Sequence, residues 1–237
     1  MNTDTIISAE NIEKIYGYGH SALKVLRGVS LSVSRGDVVS IVGPSGAGKS
    51  TLLNCMGCLD GFQKGTMRLM GRDVSRMTLD ELSGFRNRHL GFIFQLHNLL
   101  PEFTAVENVM IPLLIRRMNR IDARKKALAV LERFNLSDRL FHRPSELSGG
   151  ECQRIAVARA IVGEPDIVLA DEPTGSLDTE NSRNLASTLL QMGREKNTTI
   201  IIVTHDFEIA GMTERKISLV DGEIVNDIML RNNGTEH

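Results

Sequence analysis

The segment GPSGAGKST at 43–51 sets glycines at 43, 46 and 48 before a lysine and two hydroxyl residues. This is the G-x-x-x-x-G-K-[ST] pattern, with an apolar β-branched run, Val38 to Val42, in front of it and a helix-forming run behind it, the context the motif requires. Gly43, Gly46 and Gly48 let backbone N–H groups curl around phosphate oxygens. Lys49 sets a positive charge near the β- and γ-phosphates, and Ser50 offers a hydroxyl to Mg²⁺. The predicted phosphate site is the whole loop: Gly43, Pro44, Ser45, Gly46, Ala47, Gly48, Lys49, Ser50 and Thr51.

DIVLADEP at 166–173 is an apolar strand ending in two acids. If that strand neighbours the phosphate loop, Asp171 joins the Mg²⁺ shell. Glu172, one residue on, is then set to polarise a water in line with the γ-phosphate as general base. Two acids ending a strand can also be plain solubilising charges, but the pairing with a phosphate loop is expected of a nucleotide hydrolase. Gln95 after LGFIF and His205 after IIIVT read individually as polar caps. At the carboxyl ends of parallel strands, however, side chains face the crevice where ligands bind, and both can reach the γ-phosphate region.

ELSGGECQR at 146–154 is a second glycine-rich helix start. The first free N–H groups of a helix form an anion site, and two glycines admit close backbone approach. Something negatively charged should dock at Ser148, Gly149 and Gly150. The residues alone do not say whether that anion belongs to the same chain.

The elements that must carry these residues are legible from periodicity. IISAENIEKIY, GVSLSVSRG, the run DVVSIVG, GTMRLMG and LGFIFQ read as strands. From about Leu96 to Glu164 the spacing becomes helical, with helices expected over ENVMIPLLI, Asp122 to Phe134, and SGGECQRIAVARAIV. Strands return with DIVLA and TTIIIVTH around a helix from Thr179 to Met192, and KISLVDGEIV forms a hairpin turning at Asp221-Gly222. The expected fold is α/β: a nucleotide-binding core of mostly parallel sheet with an antiparallel N-terminal β part, and a helical subdomain. The core is expected over 1–95 and 165–225, the helical part over 96–164, and a tail over 226–237.

With 237 residues, 41% of them hydrophobic, the chain has ample core for one globular unit or two joined lobes. A formal charge of -1 lacks the general basic excess of a nucleic-acid binder, so none is expected as a partner. Arg116, Arg117, Arg120, Arg124, Lys125 and Lys126 form a local basic stretch that could face lipid headgroups or RNA; a solvated helix face is the expectation. No apolar run approaches the roughly 18 residues that span a bilayer, and VMIPLLI is broken by Pro112. The opening MNTDTIISAE shows no secretory signal, which points to the cytoplasm. Three cysteines cannot all pair. Cys55-x-x-Cys58 admits a redox or zinc reading, but with both residues expected on one helix face and no further pair, core packing is preferred.

Taken together, the phosphate loop, Gln95, LSGGECQ at 147–153, DIVLADE, the SLD of 176–178 and His205 occur in the order found in nucleotide-binding subunits of ABC transporters, which the chain resembles over nearly its whole length. The resemblance implies an ABC ATPase that binds ATP and Mg²⁺, with Ser50, Gln95 and Asp171 around the metal and Glu172, His205 and Gln95 in catalysis. It also implies a homodimer in the ATP-bound state, in which Ser148, Gly149 and Gly150 of one copy close on ATP held by the other. By the same resemblance Tyr16 stacks on adenine in preference to Tyr18, Asp178 links the two sites and His205 senses the γ-phosphate. Glu151, where the family pattern has Gln, and Cys152, where many relatives have a longer polar residue, are departures outside the Ser-Gly-Gly turn.

FIFQLHNLLPEFTAVENVMIPLLI and HRPSELSGGE are most similar to the lipoprotein-releasing ATPases, with macrolide-exporter and FtsE-like cell-division ATPases as near relatives. That implies integral membrane permease subunits as partners, peripheral attachment through them at the cytoplasmic face of the inner membrane, and a docking groove at HNLLPEFTAVENV. A soluble ABC ATPase would usually carry two cassettes or a long coiled-coil insertion. A small P-loop kinase gives LSGGECQ and His205 no purpose.

Overall fold

The computed structural model describes residues 4–230 apart from Ser176 and the His20 side chain. The expectations at Ser176 and over 231–237 of the tail therefore lie outside the described residues. In chain order the elements are β1 (Thr5–Tyr16), β2 (Leu23–Ser34), β3 (Val38–Val42), α1 (Lys49–Met56), β4 (Lys64–Leu69), β5 (Arg72–Asp73), α2 (Leu79–His89) and β6 (Leu90–Ile93). There follow α3 (Ala105–Ile115), α4 (Arg120–Arg133), α5 (Gly149–Ile161), β7 (Ile167–Asp171), α6 (Thr179–Lys196), β8 (Thr199–Val203), α7 (Phe207–Gly211), β9 (Arg215–Val220) and β10 (Glu223–Met229). The chain divides into two compact units, Met1–Ser83 with Thr199–His237, and 84–198.

The first unit contains two kinds of sheet. β1 pairs antiparallel with β2 and β4, and β4 with β5, giving the order β2-β1-β4-β5. Beside this N-terminal β part, β3 pairs parallel with β8 and β9, and β10 returns antiparallel on β9. Every residue of β3 and of β8 is buried. This is why VVSIV and TIIIV read as continuous apolar runs, since a strand covered on both faces has no polar side to alternate. β2 alternates buried and exposed residues along Val29, Leu31 and Val33, as its sequence predicts. The hairpin turns at Asp221 and Gly222, both at positive φ, and β10 runs through Met229, into the range expected as tail.

The second unit holds the parallel pair β6 and β7 with α3, α4, α5 and α6. Helix starts are set by side-chain caps. Thr104 with Glu107 opens α3 and Ser148 with Glu151 opens α5, each as a reciprocal capping box, while Asn119 caps α4 and Asp178 caps α6. α6 runs on to Lys196, beyond the expected Met192, and stops where Asn197 turns left-handed. α2 was not anticipated, although Thr78 and Glu81 exchange capping hydrogen bonds in the T-x-x-E spacing that marks a helix start. No helix among the described residues is long and apolar enough to cross a membrane.

Two expectations need correction. Cys58 does not share a helix face with Cys55: α1 ends at Met56, and Cys58 sits beyond it at φ 54. Cys55 is buried in the core, and all three cysteines are free thiols. Arg116 is not on a solvated face either. It follows α3 and turns inward, donating to the carbonyls of Asn87 (3.1 Å) and Gly163 (2.6 Å). A Cβ on Gly163 would come within 2.5 Å of that guanidinium, so a larger residue there would make Arg116 shift. Its neighbours keep to the surface: Arg120 pairs with Glu107, and Arg124 lies over the Phe141 ring.

Candidate functional site

The phosphate loop leaves β3 at Gly43, whose Cβ, if it had one, would lie 2.0 Å from the Leu219 carbonyl oxygen. Gly46 and Gly48 turn the backbone left-handed at φ 80 and 97, and Gly48 is the N-cap of α1. The loop therefore ends on the unpaired N–H groups of a helix start, with Lys49, Ser50 and Thr51 in the first turn. Lys49 Nζ donates to the carbonyls of Gly43 and Pro44, 2.9 Å each, so its ammonium is held across the mouth of the loop. Pro44, Ser45, Gly46 and Ser50 are exposed, while Ala47 is buried beneath and accepts from the Gly222 N–H.

His205 belongs to the same unit. β3 and β8 run parallel with Ile41 opposite Val203, so Gly43 and His205 each stand two residues past a paired position at one edge of the sheet. The Thr204 N–H donates to Ile41 O at 3.2 Å, which carries the pairing to the end of the strand. His205 is exposed, and Asp206 directly after it caps α7 through Glu208 N and Ile209 N. Tyr16, at the end of β1, is 41% exposed.

In the second unit β6 and β7 repeat the arrangement. Ile93 pairs with Ala170, so Gln95 and Glu172 leave the same carboxyl edge. Asp171 is the last residue of β7, and Glu172 takes a left-handed φ of 46, which turns the chain out of the strand between the two acids. Such a conformation costs a non-glycine residue on the order of 1 kcal/mol and is held only by its surroundings. The amide of Gln95 packs 3.6 Å from where a Gly175 Cβ would be, so Gln95 lies on the turn that follows Glu172. Among the anticipated residues the structure thus brings together the phosphate loop and His205 in one unit, and Gln95, Asp171 and Glu172 in the other.

Ser148 caps α5, with Gly149 and Gly150 as its first two residues. Ser148 and Gly149 are exposed, and nothing lies within 4 Å of a Cβ placed on Gly149. Glu151, a departure from the family pattern, completes the capping box and adds a charged contact. Its Oε2 accepts from Ser148 N (2.8 Å) and Ser148 Oγ (2.9 Å), while Oε1 accepts from Arg139 Nε (2.7 Å). The Ser148 N–H and the Arg139 guanidinium, opposed by partial burial, bring the Glu151 carboxyl down to about 2. Cys152 is buried, with its thiol 3.6 Å from the Pro144 carbonyl.

Gln153 closes the LSGGECQ motif but was not among the anticipated site residues, because the motif does not say what its amide meets. It is 1% exposed, and its Nε2 donates to Pro173 O at 2.6 Å while its Oε1 meets His97 Nδ1. Arg159, two turns on, donates to the carbonyls of His97 (2.9 Å) and Asn98 (2.8 Å). α5 therefore fastens both the segment after Gln95 and the turn after Glu172. Beyond them Leu96, Leu100 and Phe103 are exposed at 77%, 41% and 40%, whereas Leu99 is half-buried.

The family model described as ABC transporter matches residues 26–175. The lipoprotein-releasing system ATP-binding protein LolD of Porphyromonas gingivalis is 51% identical over 94% of this chain and all of its own length. That of Bacteroides thetaiotaomicron is 49% identical with the same coverage. Among solved structures, the ATP-binding cassette MJ0796, in a dimeric post-hydrolysis state bound to ADP and phosphate, superposes with a TM-score of 0.90 at 39% identity, covering 95% of this chain and 99% of its own. The chain belongs to the ABC transporter family and is one of its ATPase cassettes.

Proposed function

We propose that this cassette is the motor subunit of a lipoprotein-releasing system, attached through integral permease subunits to the cytoplasmic face of the inner membrane. The observation that carries this reading is identity of about half the residues over 94% of the chain with proteins named for that system. Two copies close on ATP and hydrolysis resets the cycle; the dimer itself is supported by MJ0796, which is dimeric in a post-hydrolysis state with ADP and phosphate bound.

In this reading the Gly43–Thr51 loop holds the phosphates and Lys49 neutralises them. Ser50, Gln95 and Asp171 hold the metal; all three offer oxygen, the donor that a hard divalent cation takes, and Ser50 is exposed in the first turn of α1. Mg²⁺, when bound, offsets the charge of the β- and γ-oxygens. Glu172 accepts the proton of the attacking water, and His205 and Gln95 position the water and γ-phosphate. Tyr16 carries the adenine. Ser148, Gly149 and Gly150 meet the γ-phosphate of the partner copy's ATP through the free N–H groups of α5, with Asp178 joining the two sites.

The permease docks on the exposed apolar surface of Leu96, Leu100 and Phe103. Purification of tagged protein from detergent-extracted inner membranes should recover an integral permease by mass spectrometry. Leu96→Asp or Phe103→Asp should remove that permease while ATP affinity stays within about twofold. Recovery of ribosomes in place of a permease, or unchanged recovery by both variants, would refute the assignment or the docking surface respectively.

A further inference from the structure

We propose that Asp60, held by Lys14, is a positioning residue that fixes the Tyr16 ring as a base platform in register with the phosphate loop. This rests on the reading of Tyr16 as the adenine-stacking residue. The Tyr16 hydroxyl donates to Asp60 Oδ2 at 2.6 Å. The side chain of Thr51, the last residue of the phosphate loop, lies near the same phenol. Asp60 Oδ1 accepts from Lys14 Nζ at 2.6 Å, and Lys14 also donates to Gly61 O at 2.7 Å while lying 4.6 Å from the Tyr16 ring centroid. A chain of hydrogen bonds thus runs from the phenol through Asp60 to a buried lysine, with the first turn of α1 beside the phenol.

Each member has a physical task. Tyr16 ends a strand and exposes two fifths of its surface, so without an anchor its ring is free to change rotamer. Immobilising such a side chain on binding lowers affinity, and an anchor made beforehand removes that cost. A carboxylate beside a polyphosphate site would repel the ligand; Lys14, only 5% exposed, compensates that charge from within. The Asp60 bond and partial burial raise the Tyr16 pKa, which keeps the phenol protonated and donating. On Asp60, partial burial is outweighed by the bonds from Lys14 and Tyr16, so its carboxyl is held below the usual range.

The test uses the full-length protein, with Mg-ATP and Mg-tripolyphosphate as ligands in calorimetry. Tyr16→Phe keeps the ring and removes the anchor, Asp60→Ala removes the acceptor, and Tyr16→Ala removes the platform. Tyr16→Phe and Asp60→Ala should each weaken ATP binding about three- to tenfold, the worth of one freed side chain. Tripolyphosphate affinity should not change, and the double variant should be no weaker than either single one, the mark of a coupled pair. The chain has no tryptophan and two tyrosines, so phenolate absorbance gives an independent reading. One tyrosine should ionise above the usual range in the parent protein, and Asp60→Ala should bring it down. Asp60→Ala leaves Lys14 with Gly61 O alone; if it does not fold, Tyr16→Phe and the absorbance titration of Asp60→Asn carry the test.

If Tyr16→Phe binds ATP normally while Tyr16→Ala does not, stacking stands and the anchoring by Asp60 is refuted. If Tyr16→Ala also binds ATP normally, the adenine reading fails and the anchoring with it. Equal losses for ATP and tripolyphosphate would mark a general disturbance of the phosphate loop and overturn the positioning role.

Discussion

Gln153 donates from Nε2 to the carbonyl of Pro173 at 2.6 Å, so the helix that opens with Ser148-Gly149-Gly150 grips the backbone one residue beyond Glu172. Removing this amide leaves a buried carbonyl unpaired, a loss of about 1–3 kcal/mol. If Gln153 keeps Glu172 in place, Gln153→Leu should lower kcat about tenfold or more, with ATP affinity nearly unchanged. Steady-state kinetics beside calorimetry separates the two; equal changes in kcat and Kd would reduce Gln153 to a core residue.

Glu172→Gln should keep ATP binding and lower turnover by roughly 10² to 10⁴, the usual worth of a general base. The isosteric amide retains the backbone turn at φ 46. An ATP-bound dimer should therefore accumulate in gel filtration, and near-normal phosphate release would remove Glu172 from the role.

Gly149→Asp adds a side chain where nothing lies within 4 Å, so the fold should accept it while negative charge is placed at an anion-seeking helix start. ATP should still bind the isolated subunit, but ATP-driven dimerisation should fail. Mixed with Lys49→Ala, the variant forms dimers with one doubly defective site and one intact site, and part of the hydrolysis should return. If Gly149→Asp abolishes ATP binding by the monomer, the Ser-Gly-Gly turn serves its own chain.

Glu151→Gln tests the charge on the capping box. The Glu151 carboxyl is lowered to about 2 by the Ser148 N–H and Arg139. A depressed carboxyl adds stability above its unfolded value, about 4.3, and loses it as pH falls towards 2. At pH 7 the substitution should lower the thermal midpoint by about 2–4 °C, roughly 1 kcal/mol in a chain this long. The gap to the parent protein should narrow steadily below pH 4.5. A gap independent of pH would mean that the Arg139 pair contributes nothing to holding the turn.

Local pattern was enough to name much of this protein. The phosphate loop reads from its spacing because glycine, lysine and hydroxyl must follow one another on a single turn. β3 and β8 read from continuous apolar runs, and α5 from its Ser-x-x-Glu start. Each of these signals is complete within about ten residues, the range over which backbone geometry dictates side-chain type. Where such a signal was overlooked, as at Thr78 and Glu81, it was nonetheless present.

The partners across the fold could not be read that way. Asp60 meets Tyr16 across 44 positions, Gln153 reaches Pro173 across 20, and Arg116 crosses 47 to the carbonyl of Gly163. Periodicity assigns a side chain to a face but not the group it finds there. Arg116 turned inward because close packing presented unpaired carbonyls that only a long donor could reach, and Cys58 left its expected face because α1 stopped two residues short of it. The chemistry the chain carries was thus written in short stretches of residues. What holds each group in place emerges from packing, because hydrogen-bond partners distant in sequence meet only in the folded chain.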